Sequence, residues 1–145
     1  MRAVETTGGI VVEPQWALLL TDELEIEAAR QHWRRVTTEM RERDILAPTN
    51  GHAVQRLVLA YLVFDRCSRE VAESGAVSKP KRGNPKAIAR ISPYFTAMRE
   101  AGNDAERLEA ELGLTPRRRS GVGKVVKTGR KTTGADRYLK PVANE

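Results

Sequence analysis

Two histidines, His32 and His52, and one cysteine, Cys67, are the only imidazoles and thiol in this sequence. Neither histidine stands with cysteine or carboxylates at metal-ligand spacing. A surface position on a helix accounts for His32, and a helix start accounts for His52. Cys67 falls in an apolar run and reads as a small buried hydrophobe. "SGVGKV", residues 120–125, suggests a phosphate loop and fails the pattern. Arg118 stands where the first glycine is needed, and Val125 where Ser or Thr must follow the lysine. No Gly-x-Ser-x-Gly occurs, and the carboxylates are scattered over expected helix surfaces. No catalytic constellation is present, so the expectation is a protein that is not an enzyme and needs no metal or cofactor.

Phosphate-binding cations are the chemistry that remains. The sequence has 25 Lys or Arg and 19 Asp or Glu; nine bases and two acids lie from Thr115 onward, which leaves 16 and 17 before it. A neutral body with a +7 tail is the usual footprint of a polyanionic partner, with a merely solubilising tail as the alternative. The candidate DNA contacts in the tail are Arg117, Arg118, Arg119, Lys124, Lys127, Arg130 and Lys131. A second set lies in "SKPKRGNPK", residues 78–86, where Lys79, Lys81, Arg82 and Lys86 occur with no acid. That loop reads equally as a solvated turn. Such contacts position DNA and carry little sequence information.

These cations need elements to hold them. Residues 1–20 read as an N-terminal arm, with turn formers around a short β-branched run and Pro14 closing it. "WALLL", residues 16–20, should pack on something, a neighbouring copy included. A first helix is expected from about Asp22 to Leu46, with Thr21 as N-cap and Asp22, Glu23 and Glu25 in its first turn. Ala29, Trp33, Val36 and Met40 form its apolar face. Arg30, Arg34, Glu39, Arg41 and Glu42 make the opposite, solvated face.

A second helix is expected from Gly51 to about Ser74, capped by Asn50 and ended by Gly75. Val54, Leu57, Val58, Tyr61, Leu62, Phe64 and Val71 cover far more than one stripe, so this helix must be covered on two sides. The first helix covers one side in an antiparallel hairpin. The third helix or another copy of the chain covers the other. With Trp33, the residues Val54, Leu57, Val58, Tyr61, Leu62 and Phe64 are the candidate oligomerisation set.

A third helix starts at Pro85, kinking at Pro93, or starts afresh at Pro93; Gly113 ends it. "AGND", residues 101–104, weakens its middle. After Pro116 the chain is too polar to bury a core of its own, and disorder is expected there. The longest apolar run, residues 57–64, is too short to span a bilayer, and "GGIVV" is too short for a signal peptide. With one cysteine, the reading is a soluble protein of a reducing cytoplasm.

Residues 29–119 resemble the small terminase subunits of tailed double-stranded DNA phages. The resemblance runs through Ala29 and Trp33, "MRERDIL" leading into a turn, Leu57 and Tyr61 in an apolar helix, Gly75, and "GNP" at 83–85. Its most specific part is "LGLTPxxR", here Leu112, Gly113, Leu114, Thr115, Pro116 and Arg119. Some relatives carry an N-terminal helix-turn-helix domain, for which twenty residues are too few. The resemblance implies an all-α fold: a helical hairpin plus a third helical segment, assembled into a ring of eight to ten copies. The divisions are then an arm (1–20), a helical oligomerisation core (21–113) and a flexible basic tail (114–145). It also implies a non-catalytic packaging factor in the host cytoplasm and outside the virion. That factor binds viral DNA, presents it to the large ATPase and nuclease subunit, and modulates that subunit. A small dimeric DNA-binding regulator, or a nucleoid-type protein with a basic arm, is the alternative.

Overall fold

The computed structural model describes residues 3–6, 9–80, 82–83, 86 and 88–116. Two antiparallel strands come first, β1 (Ala3–Thr6) and β2 (Gly9–Val12), in register Ala3↔Val12 and Thr6↔Gly9. One 3₁₀ turn at Trp16–Leu18 leads to helix α1 (Glu23–Glu42), and a second, Pro48–Asn50, leads to α2 (Gly51–Ser74). A short antiparallel ribbon, β3 (Val77–Ser78) with β4 (Arg90–Ile91), connects α2 to α3 (Pro93–Glu111).

The helix bounds follow local chemistry. The N-cap of α1 is Asp22, one residue later than expected: its carboxylate accepts the Leu24 amide at 2.9 Å. Glu23 and Glu25 stand in the first turn, where the exposed amides favour anions. The helix ends at Glu42, four residues short of Leu46. Asp44 takes a positive φ of 57°, the Asp44 amide donates to Arg41 O, and the Ile45 amide donates to Met40 O at 3.0 Å. This is the left-handed cap with its pair of closing hydrogen bonds, built on aspartate where glycine is usual. The turn lets Ile45 and Leu46 leave the helix and enter the core.

Gly113 repeats the device at the end of α3: it has φ 75°, and the Leu114 amide donates to Glu109 O at 2.9 Å. Pro116 follows. Of the two possible starts for α3, the chain uses Pro93, with Ser92 before it. "AGND" does not interrupt the helix. A Cβ on Gly102 would stand 3.4 Å from the Phe64 ring, an ordinary contact distance, so α2 and α3 meet here through Phe64. Asn50 precedes α2 without capping it by its side chain; its Nδ2 donates instead to Ile45 O at 3.2 Å.

α2 is covered on both sides within one chain. Its most extensive packing is against α3, and α1 lies on the other side. Of the two covers that the sequence left open, α3 is the one present. The core gathers Val11, Trp16, Ala29, Trp33, Val36 and Met40 with Val54, Leu57, Val58, Leu62, Ala105, Leu108 and Leu112. Residues 11–16 therefore join the helical body. Trp16 meets the Trp33 ring edge-on at 6.0 Å, and its indole N–H donates to the buried Glu13 carboxylate at 3.1 Å. Val11 lies against Gly51, where a Cβ would come within 3.3 Å of it. The mainly helical expectation is met, while the two ribbons were not anticipated.

Candidate nucleic-acid interface

The cationic element within the fold is the connection between α2 and α3. From Ser74 to Arg99 the sequence has six Lys or Arg and no acid. Lys79, Arg82 and Lys86 of the expected set are exposed here, and so is Arg90. Pairing of Ser78 with Arg90 closes the ribbon, and the Ser92 amide donates to Ala76 O at 2.9 Å, which ties its base to the helices. Sequence reasoning named the loop and missed Arg90. The signal was available, because the acid-free run continues past residue 86 to Arg99. Lys81 and the tail cations Arg117, Arg118, Arg119, Lys124, Lys127, Arg130 and Lys131 lie outside the described residues.

The cations of α1 are differently placed. Arg30 pairs with Glu27 at 3.6 Å, and with Arg34 they line an open cleft of about 630 Å³ beside Glu13, Trp16 and Leu18. Both signs of charge meet there, so that cleft does not continue the positive surface of the ribbon.

The candidate oligomerisation residues divide into two groups. Trp33, Val54, Leu57, Val58 and Leu62 are buried in the chain's own core, and Phe64 and Tyr61 are partly exposed. The Tyr61 hydroxyl donates to Glu109 of α3 at 2.5 Å, while its ring lies 5.0 Å from His32 and 5.4 Å from the Arg35 guanidinium. One side chain thus joins all three helices. Burial, with the Glu109 carboxylate beside it, pushes the Tyr61 hydroxyl far above its ordinary range. Arg66 holds α1 against α2 through both Glu25 oxygens, at 2.8 and 2.6 Å, and that contact lowers the Glu25 carboxyl. Arg43 donates to Gly113 O at 3.4 Å and pairs with Glu39, linking the ends of α1 and α3.

His32 titrates within this joint. Burial lowers its pKa, Arg35 adds to that, and Asp65 at 3.7 Å partly opposes it. The folded chain therefore binds this proton less readily than the unfolded chain does. The His32 contribution is fully present above the unfolded value, about 6.5. It is lost as pH falls from there through the depressed folded value. The melting temperature should drop between pH 7 and pH 5, and His32→Gln should remove that part of the drop in a pH series of thermal melts.

Among the described residues, no three His, Cys, Asp or Glu side chains converge to hold a metal ion. No described helix is long and apolar enough to cross a membrane. Against this geometry, a protein-family model described as "Phage terminase, small subunit" matches residues 29–128, more than two thirds of the chain. The match takes in α1 from Ala29 onward, α2, the ribbon, α3 and the first cations of the tail. Comparison with curated proteins and with solved structures found no match.

Proposed function

The chain belongs to the phage terminase small-subunit family, and from that premise we propose that it is the non-catalytic DNA-engaging subunit of a packaging motor. It binds double-stranded viral DNA, presents it to the large subunit that carries the ATPase and nuclease, and modulates that subunit. It works in the host cytoplasm as a homo-oligomeric ring of eight to ten copies.

The family match over residues 29–128 carries this reading. The charge distribution supports it: a +7 segment from Thr115 onward and an acid-free ribbon with Lys79, Lys81, Arg82, Lys86 and Arg90. Repeated around a ring, such segments give avidity from many weak phosphate contacts. The DNA affinity should accordingly fall steeply with salt and depend little on sequence at these contacts.

The test pairs the purified chain with the terminase large subunit of the same phage. The expected result is salt-dependent binding of duplex DNA and a DNA-dependent change in the ATPase rate of the large subunit. A stable dimer that binds DNA and leaves the large subunit unaffected would return the regulator reading. Failure to bind DNA at low salt would overturn both.

A further inference from the structure

Between α2 and α3 the surface opens into a groove of about 480 Å³, whose lining includes the charged Arg56, Glu100, Asp104 and Arg107; Asp104 and Arg107 pair with each other at 3.2 Å. Leu59, Ala60 and Val63 from α2 and Ala97, Ala101 and Leu108 from α3 are the apolar part of its lining. Three of those six are alanines, whose short side chains leave a recess. Val63, which lines it from α2, is 39% exposed. Arg56 stands at the rim with no ion-pair partner among the described residues.

At the N-terminal end of α1 the surface has the opposite shape. Leu24 is 81% exposed and Leu18, in the turn before the helix, is 79% exposed. These are the two most exposed large apolar side chains on the helical body apart from the ribbon. Glu23, beside Leu24, is exposed and has no cationic partner among the described residues. The Glu25–Arg66 pair fixes this end of α1 against α2. Leu24 stands out into solvent and does not line the groove of its own chain.

We propose that copies of the chain join head to tail, with the Leu24 and Leu18 end of one seated in the α2–α3 groove of the next. A recess cannot fill a recess, so two grooves do not satisfy each other, whereas a protruding leucine end fills one. Seating it there brings Glu23 to the rim where Arg56 lacks a partner. Such a contact uses two different patches of each copy. It leaves one end and one groove open after every addition, so it closes into a ring or runs on as a filament. The inference rests on the self-association proposed above and names the two surfaces that make it.

Leu24→Glu and Val63→Glu each spoil one patch and leave the other intact. Both positions are exposed, so each variant should fold, and thermal melts by circular dichroism check that it does. The wild-type chain is expected to have the mass of many subunits by light scattering, and each variant alone the mass of a monomer. An equimolar mixture of the two should give a heterodimer and nothing larger, because one intact end then meets one intact groove. Arg56→Glu should weaken assembly from the rim without touching the apolar part of the lining, and adding Glu23→Lys should restore it. A Leu24→Glu or Val63→Glu variant with the wild-type mass overturns this interface and leaves self-association standing. Two folded variants that stay monomeric when mixed also overturn it, and assign the groove to another occupant such as the large subunit. A wild-type chain that is monomeric overturns the self-association itself.

Discussion

The Leu57→Asp protein will not hold its native fold. Leu57 is 0% exposed and sits where α1, α2 and α3 converge, with Val54, Val58, Trp33 and Leu108 in the same cluster. A carboxylate there has no partner and no water. Burying it costs several kcal/mol, and loss of the leucine packing adds about 2–5 kcal/mol. A domain of this kind has only about 5–15 kcal/mol in total. The expected result is loss of the cooperative thermal transition in circular dichroism, together with loss of hydrogen-exchange protection in all three helices. Leu57→Ala, which creates a cavity and no charge, should remain folded and melt at a lower temperature. A Leu57→Asp chain that melts like wild type and only changes its mass would show that Leu57 faces another copy. Placement of Leu57 inside one chain predicts the contrary.

The second large effect concerns the tail. Ending the chain after Pro116 removes nine Lys or Arg and two acids, and keeps the Gly113 cap and the Leu114 amide bond that close α3. Each cation that neutralises a phosphate contributes about −0.9 to the slope of log K against log salt. If six of the nine engage duplex DNA, the tail alone should account for about three decades of the affinity that the full chain loses between 50 and 200 mM salt. The truncated chain should keep only the shallow dependence that the ribbon cations supply, about one to two decades over the same range. Fluorescence anisotropy on a labelled duplex at several salt concentrations measures both slopes. Circular dichroism melts should show the helices unchanged, since the cut lies beyond the last cap. An unchanged slope would move the DNA contacts from the tail to the ribbon, and Lys79→Ala with Arg82→Ala and Arg90→Ala would then be the variants that flatten it.

Several features of this protein could be read directly from the order of its residues. The bounds of α2 are Gly51 and Ser74 because an apolar pattern of helical period runs up to Gly75, whose positive φ ends it. The left-handed Gly113 before Pro116 was legible for the same reason: backbone preferences act between near neighbours and do not depend on the rest of the fold. The excess of positive charge after Thr115 is likewise a property of the sequence alone. The family follows from the chain order of Trp33, Leu57, Tyr61 and "LGLTPxxR".

Other features depended on groups far apart in the chain. Asp44 ends α1, and aspartate carries no strong signal for a left-handed turn. The gain comes from Ile45 and Leu46, which the turn delivers into the core. Trp16 belongs to that core because Trp33 and Glu13 are there to receive its ring and its N–H. Periodicity showed that α2 needs two covers, but the identity of a cover is a matter of which surfaces fit. That was decided by Phe64 packing on α3 at Gly102 and by Glu109 reaching Tyr61. An apolar stripe states a demand for burial. Shape, and pairings such as Tyr61 with Glu109, select what meets it, and neither exists until the elements are brought together.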